Sequence, residues 1–261
     1  MTMESKQNNA ANRLHRILSA AKGLSGGNTY QQLGNAFGLS DQRDAVDFLE
    51  RLIAAARTID VIETLIKKIP SADPNLYLRG FDRLKQGLAA AASNQDFNGW
   101  KTAYLPTEQL ERIEFCAHLI EQHYPEDELP ADELKNVNEE VSALYESVIA
   151  SGLDPDLKLA ILDLLDKIKN ALHTYRMQGI QPLRDALVTA TGAFILHHQQ
   201  FEQAAANPEE RSVVEKLYHL LEWLDKISAI ASRAQPLFKQ LLPYIPPLLV
   251  AAVDFVEKAK R

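Results

Sequence analysis

The chain has 261 residues, of which 46% are hydrophobic and 24% are charged, a composition typical of globular rather than disordered proteins. The net charge of -7 and the pI near 5.5 disfavour binding to nucleic acid, because a phosphate backbone requires a basic face. The single cysteine, Cys116, excludes an internal disulfide framework and a thiolate zinc site, and indicates a reducing compartment. Residues 1–12 lack the pattern of a secretory signal, so we expect a cytoplasmic protein.

Apolar residues recur at spacings of three and four along most of the chain, which predicts an all-α, multi-helix bundle. A first helix is predicted over about residues 6–22 and a short one over 29–37. A long spine helix is predicted over 40–69, with Ser40 as its N-cap. Its predicted buried stripe consists of Val46, Leu49, Ile53, Ala56, Ile59, Ile62, Ile66 and Ile69.

Cap-and-proline pairs mark the starts of several later helices, because proline at the first helical position needs no amide partner. They are Asp73-Pro74, Asp154-Pro155 and Asn207-Pro208. The other predicted segments are a loop over 94–106, helices over 107–125, 131–151 and 180–199, and a linker over 201–206. A glycine, Gly179, ends the helix that starts at Pro155 and forms the bend of a helical hairpin.

We expect either one elongated domain or two loosely separated helical bundles. The predicted division places an N-terminal helical region with the spine helix over 1–106 and a C-terminal bundle over 107–261. An apolar tail, residues 236–256, is apolar on all sides and contains prolines at positions 243, 246 and 247, which does not fit a membrane-spanning helix.

Burial in the C-terminal bundle is the first interpretation of this tail; an oligomer or partner interface and membrane insertion are the alternatives. The candidate residues for a hydrophobic interface are Leu241, Tyr244, Leu248, Leu249 and Phe255.

Negative charge is concentrated in residues 120–166, where 13 acidic residues accompany only two lysines. Most such runs form a solvated helix face, so that is the first interpretation. The functional alternative is a docking surface for a basic partner.

The segment over residues 29–57 is similar to a helix-turn-helix, in which two short helices pack at a steep angle. DNA binding through this segment would depend on Arg43 and Arg51. Four acidic residues lie around these two arginines, which disfavours contact with phosphates. A plain helical corner is the preferred interpretation.

No catalytic, cofactor-binding or metal-binding motif is predicted. The histidines do not occur at the spacing of a zinc protease or a di-iron bundle, and no nucleophile elbow or phosphate-binding loop is present. Cys116 falls beside an apolar helix face, where a thiol behaves mainly as a small hydrophobic group. We therefore expect a protein that is not an enzyme, with no cofactor and no small-molecule substrate.

Three stretches resemble a pattern in uncharacterised bacterial all-helical proteins. They are Ser151–Lys158 with its Asp-Pro-x-Leu, Ile168–Gly179 with its Tyr-Arg-x-x-Gly, and Pro182–Leu187 with its Leu-Arg-x-Ala-Leu. Shorter similar pieces are Asp73–Leu78, Trp100 and Glu114–Ala117, so the resemblance covers residues 28–197. The resemblance implies a bacterial origin, and it implies no particular activity.

A group of residues in this pattern is predicted to gather at the hairpin bend, with the arginines binding the last helix carbonyls or an acid. These residues are Tyr175, Arg176, Gly179 and Arg184. A structural clasp is the preferred interpretation and an interaction site is the alternative.

The leading functional hypothesis is a non-catalytic protein–protein interaction component of a bacterial multi-protein system, for example in phage defence. It implies a protein partner or self-association, and disfavours nucleic acid and membrane as partners. A DNA-binding regulator using residues 29–57 and a membrane-active effector using the apolar tail are the alternatives.

Overall fold

A computed structural model of the chain describes residues 8–39 and 44–232. This part of the chain is predominantly helical, with one isolated antiparallel bridge between Asn28 and Asp96 and no strand, which confirms the predicted all-α class. The helices are α1 (Ala10–Gly23), α2 (Thr29–Ala36), α3 (Ala45–Lys68), α4 (Pro74–Tyr77), α5 (Phe81–Ala91), α6 (Phe97–Tyr104), α7 (Thr107–His123), α8 (Ala131–Ala150), α9 (Pro155–Gln178), α10 (Gln181–Leu196), α11 (His198–Ala206) and α12 (Pro208–Ser232).

The chain forms two compact units. The first contains residues 1–128 together with 176–179, and the second contains 129–175 and 180–261. The division after Glu128 differs from the predicted one after residue 106, because α7 packs against α1, α3 and α4 of the first unit. The last residues of α9 also belong to the first unit, where Met177 is part of the hydrophobic core.

Within the first unit, α1 packs against α2, α3 and α7, and α3 also packs against α4, α5 and α7. The largest side chains in its core are aromatic, and Phe81, Phe97 and Trp100 are fully buried. Within the second unit, α12 packs against α8, α10 and α11. Its core is mainly aliphatic, with a stacked pair of rings, Phe194 and Phe201, at 4.4 Å between centroids.

The spine helix is present as α3 but begins at Ala45, where Asp44 rather than Ser40 is the N-cap. The Asp44 carboxylate accepts a hydrogen bond from the backbone N–H of Asp47 at 2.8 Å. This satisfies one of the amides that a helix start leaves without an intrahelical partner. The helix therefore starts four residues closer to the core-facing Phe48 than predicted.

The predicted buried stripe of α3 is wrong over the first half of the helix. Val46, Leu49 and Ile53 are exposed, at 61%, 43% and 52%. Phe48 and Leu52 are buried instead, and the Phe48 ring makes an edge contact with Tyr30 at 5.0 Å between centroids. This half of α3 is apolar on two sides, and spacing alone does not determine which side faces the core.

Two predicted loops are helices. Residues 97–104 form α6, because the Asp96 carboxylate caps the backbone N–H of Gly99 at 2.7 Å and Phe97 and Trp100 are buried on one side. Residues 201–206 lie in α11, where Phe201, Ala204 and Ala205 are buried at helical spacing. In both segments the gain from tertiary packing exceeds the weak local preference for helix.

Candidate interaction site

A half-open groove lies between α4 and α7 in the first unit, with a cavity volume of about 320 Å³. Its position follows from the local sequence around α4. Asp73 caps this single turn by accepting a hydrogen bond from the Asn75 N–H at 2.9 Å, and Pro74 occupies the first helical position. The turn after α4 passes through Gly80, whose φ of +88° is costly for residues with a Cβ.

Gly80 also brings this turn close to α7. A Cβ at this position would overlap the side-chain amide of Gln109 near the start of α7. A second link is a hydrogen bond of 3.0 Å from Arg112 Nη1 on α7 to the carbonyl oxygen of Leu76. The close approach at Gly80 and the hydrogen bond from Arg112 together place the backbone of α4 beside α7, so the groove is built by tight turns and not by a loose loop.

Two large apolar side chains line this groove and are exposed, Leu76 at 60% and Phe115 at 63%. Such side chains are common singly on protein surfaces, but two of them lining one cavity form an apolar binding feature. Tyr77 contributes to the same lining. The groove is therefore suited to an apolar side chain inserted by a ligand.

The charged residues of the lining are Glu108, Glu111 and Arg112, with a net charge of -1. Because the guanidinium of Arg112 donates to Leu76 O, part of its hydrogen-bonding capacity is used within the protein. The two glutamates are one turn apart on α7, so their carboxylates lie on the same side of this helix. A ligand that carries Lys or Arg beside its apolar group would complement this lining.

Cys116 is fully buried and is the residue after Phe115 on α7. Its thiol donates a hydrogen bond to the carbonyl oxygen of Tyr77 at 3.6 Å. Burial raises the pKa of this thiol to about 12, and the nearby Arg112 opposes this only in part. Cys116 is therefore held in the protonated form at neutral pH and is a poor nucleophile.

Leu76 and Phe115 were not predicted as candidate site residues from the sequence. A signal was present for Phe115, because its neighbours one turn earlier on α7, Glu111 and Arg112, are both charged. A large aromatic residue on the polar side of an amphipathic helix is unusual, since burial is its normal outcome. Leu76 carries no comparable signal, because its exposure depends on the tertiary position of a single helical turn.

The four residues predicted to gather at the bend are divided between the two units. Tyr175 is buried in the second unit, where its hydroxyl accepts a hydrogen bond from the Leu129 N–H at 2.8 Å. Arg184, also in the second unit, donates to the Ser232 hydroxyl at 3.1 Å. Arg176 and Gly179 belong to the first unit, and Arg176 is exposed with its guanidinium beside Gly38.

A clasp on the last carbonyls of α9 does exist, but the arginine that makes it is Arg13 from α1. Arg13 Nε donates to Met177 O and Nη2 donates to Gln178 O, both at 3.1 Å. The Gly179 φ of +69° ends α9 at this point, as predicted for a left-handed helix cap. Within the first unit, Arg13 thus satisfies helix-end carbonyls that have no intrahelical donor.

Arg13 was missed because a buried arginine on an apolar helix side has no distinctive sequence pattern. It lies next to Leu14 and four residues before Ile17, which places it at the edge of the predicted apolar stripe of α1. This position does not by itself indicate that the guanidinium is buried, because arginines commonly cover apolar surface with their aliphatic stems and keep the charge in water.

The acid-rich stretch, residues 120–166, is divided between the two units. In the first unit, Glu126 pairs with Arg13 at 2.8 Å and Glu128 with Arg16 at 3.6 Å. In the second unit, Lys135–Glu139 and Lys167–Asp163 are pairs within α8 and α9. Parts of the stretch are therefore already neutralised by residues of this chain.

The helix-turn-helix-like segment contains α2 and the start of α3. Arg51, one of the two arginines on which DNA contact would depend, is only 7% exposed. Burial lowers its pKa, while the neighbouring Asp47 and Glu50 act in the opposite direction. Arg51 is therefore not placed to contact a phosphate, and Arg43 lies outside the described residues.

The apolar tail, including the candidate interface residues Leu241, Tyr244, Leu248, Leu249 and Phe255, also lies outside the described residues. Among the helices that the structure describes, none combines the length and the apolar character needed to cross a membrane. Over the same residues, no group of three or more His, Cys, Asp or Glu side chains is arranged to hold a metal ion.

Comparison with known proteins found no matching family model, no matching curated protein and no matching solved structure. The resemblance to bacterial helical proteins therefore stays a prediction.

Proposed function

We propose that this protein is a non-catalytic interaction component that binds a partner protein in the groove between α4 and α7. The observation that supports the proposal is the pair of exposed apolar side chains, Leu76 and Phe115, which line one cavity together with two glutamates. Protein-binding sites commonly combine an apolar centre with a polar rim. The buried thiol of Cys116 supports a non-catalytic role, because it is not poised for nucleophilic attack.

The partner segment that suits this groove is an amphipathic helix or extended peptide with one large apolar anchor flanked by Lys or Arg. The anchor would insert between Leu76 and Phe115 and remove both side chains from water. The basic residues would pair with Glu108 and Glu111 at the solvent-exposed rim. Rim pairs of this kind change specificity and association rate more than affinity.

We propose that this interaction takes place within a bacterial multi-protein system in the cytoplasm. Phage defence is one example of such a system. The resemblance over residues 28–197 motivates the bacterial origin, and the single buried cysteine is compatible with a reducing compartment. Co-purification from a bacterial host tests the setting. Recovery of the chain as a solitary species under all conditions would argue against it.

A defined peptide pair tests the groove directly. The probe is a labelled amphipathic helical peptide of about 15 residues with a Phe anchor flanked by lysines; its match has glutamates in place of the lysines. Fluorescence anisotropy should show the Lys peptide binding about threefold to tenfold more tightly, as expected for a few exposed charge pairs. In the variant Glu108→Lys/Glu111→Lys this preference should reverse.

Loss of the apolar centre is the second arm of the test. Phe115→Ala combined with Leu76→Ala should weaken binding of the Lys peptide by at least about tenfold, since each side chain is a candidate hot spot. The control is Leu159→Ala, which removes an equally exposed leucine from the second unit and should leave binding unchanged. Equal affinity for both peptides, or binding that survives the double alanine variant, would refute the proposal.

A further inference from the structure

A second apolar surface lies on the outer face of α3, away from the residues that line the α4–α7 groove. Val46, Leu49 and Ile53 are each more than two-fifths exposed and follow one another at spacings of three and four. These spacings place them on one face of the helix. The core-facing side of α3 is already filled by Phe48, Leu52 and the later isoleucines, so the outer face is a separate apolar strip.

Two exposed residues of opposite charge, Glu50 and Arg57, flank this strip. They are seven residues apart, which is about two helical turns, so they lie on the same flank of α3. Ile53 lies between them in the sequence. From Glu50 through Ile53 to Arg57, this side of α3 therefore presents an acidic residue, an apolar centre and a basic residue in that order.

This order is complementary to itself when a second α3 runs antiparallel. A two-fold axis beside Ile53 would bring Glu50 of one copy opposite Arg57 of the other, and the same pair would form again on the symmetric side. An isologous interface requires this relationship, in which residue i contacts j and j contacts i. It would also place Ile53 of one copy beside Ile53 of the other.

We propose that the outer face of α3 is a homodimer interface in which two copies of this chain pack antiparallel around Ile53. A phosphate backbone is the poorer occupant, because the exposed Asp44 and Glu50 carboxylates would repel it. The charge order also distinguishes a second copy from a uniformly acidic or basic partner, which would satisfy only one of Glu50 and Arg57.

The size of the strip predicts a weak dimer. The strip from Val46 to Arg57 covers 12 residues and is roughly 18 Å long, so a width of about 10 Å gives on the order of 180 Å² per copy. Stable complexes usually bury about 800 Å² per partner. Dimerisation should therefore depend on protein concentration and weaken in high salt, because the Glu50–Arg57 pairs are at the rim.

Sedimentation velocity of the full chain between about 5 and 500 µM tests this proposal, since self-association responds to concentration by mass action. The wild type should shift from monomer to dimer. Ile53→Asp should raise the dissociation constant at least about tenfold by placing a charge at the centre of the interface. The control is Val188→Asp on the exposed face of α10 in the second unit, which should dimerise like the wild type.

Charge reversal tests the antiparallel register. Glu50→Arg and Arg57→Glu should each weaken the dimer, and the double variant Glu50→Arg/Arg57→Glu should restore it. Thermal unfolding of each variant confirms that the fold is intact. Oxidative crosslinking supplies a readout that does not depend on affinity: Ile53→Cys should form a covalent dimer and Val188→Cys should not.

The results of these experiments test the α3 dimer interface independently of the α4–α7 groove. A chain that stays monomeric at the highest concentration, a dimer insensitive to Ile53→Asp, or absence of an Ile53→Cys crosslink would each overturn the proposal. Peptide binding at the α4–α7 groove should be unchanged in the monomeric Ile53→Asp variant, so failure of one proposal leaves the other testable.

Discussion

The guanidinium of Arg13 and the carboxylate of Glu126 form an ion pair at 2.8 Å in the first unit, although Arg13 is only 3% exposed. The same guanidinium donates to Met177 O and Gln178 O at the end of α9. One side chain from α1 therefore satisfies an acid and two helix-end carbonyls at once. A buried charge is tolerated when its hydrogen-bonding groups are paired in this way.

Arg13→Ala should lower the free energy of unfolding by about 3 kcal/mol, because it removes a buried ion pair with Glu126 and the hydrogen bonds that Arg13 donates to two helix-end carbonyls. The matched control is Arg16→Ala. Arg16 is on the same helix and pairs with Glu128 at 3.6 Å, but both side chains are at least 40% exposed. Its removal should cost less than about 1 kcal/mol. Urea unfolding followed by circular dichroism measures both values, and equal costs would contradict the role assigned to Arg13.

Gly179→Ala should destabilise the protein by about 2 kcal/mol or more, because alanine is strained at a φ of +69°. The added Cβ would also overlap the guanidinium of Arg13. Gly192 in α10 is the control, since a Cβ there meets no atom within 4 Å. Gly192→Ala should raise stability by about 0.5 to 1 kcal/mol through better helix propensity. Denaturant midpoints that move in the same direction for both variants would refute this distinction.

Tyr175→Phe should cost about 1 to 2 kcal/mol, because it removes the hydroxyl that accepts a hydrogen bond from the Leu129 N–H and leaves that amide buried. Tyr124→Phe is the comparison, since this ring is 38% exposed, and it should change stability by less than about 0.5 kcal/mol. Thermal melts provide the measurement. If Tyr175→Phe left the stability unchanged, the hydroxyl would not be bonded to the Leu129 N–H in solution.

The buried thiol of Cys116 should make the fold sensitive to alkaline pH. Burial raises its pKa from 9.0 to about 12, so the folded state retains a proton that the unfolded state loses. The contribution of the buried thiol to the free energy of unfolding is fully present below pH 9 and declines as the pH rises toward 12. Over this range the free energy of unfolding should fall by up to about 1.4 kcal/mol per pH unit.

Comparison with Cys116→Ala isolates this effect from tyrosine and lysine titration. The difference in unfolding free energy between wild type and variant should be constant below pH 9 and change above it. At pH 8 the native thiol should also react with a disulfide reagent only after denaturant is added. Rapid labelling of the native protein would show that Cys116 is accessible and reactive.

Helix type and most helix ends follow from the sequence, because they depend on local chemistry. The Asp154-Pro155 start, the Asn207-Pro208 start and the Gly179 stop lie where predicted, since caps and left-handed glycines act within a few residues. The buried stripes of α7 and α12 were also predictable, because each helix has one dominant apolar side.

Only the tertiary structure decided which side of α3 is buried, which arginine holds the end of α9, and that Leu76 and Phe115 line one groove. Val46, Leu49 and Ile53 have the same spacing as a core stripe, and packing of Phe48 with Tyr30 places them outside instead. Arg13 and Met177 are distant in sequence, so no local pattern links them. The physical reason is that periodicity and capping act over a few residues, whereas burial depends on what the rest of the chain places against each face.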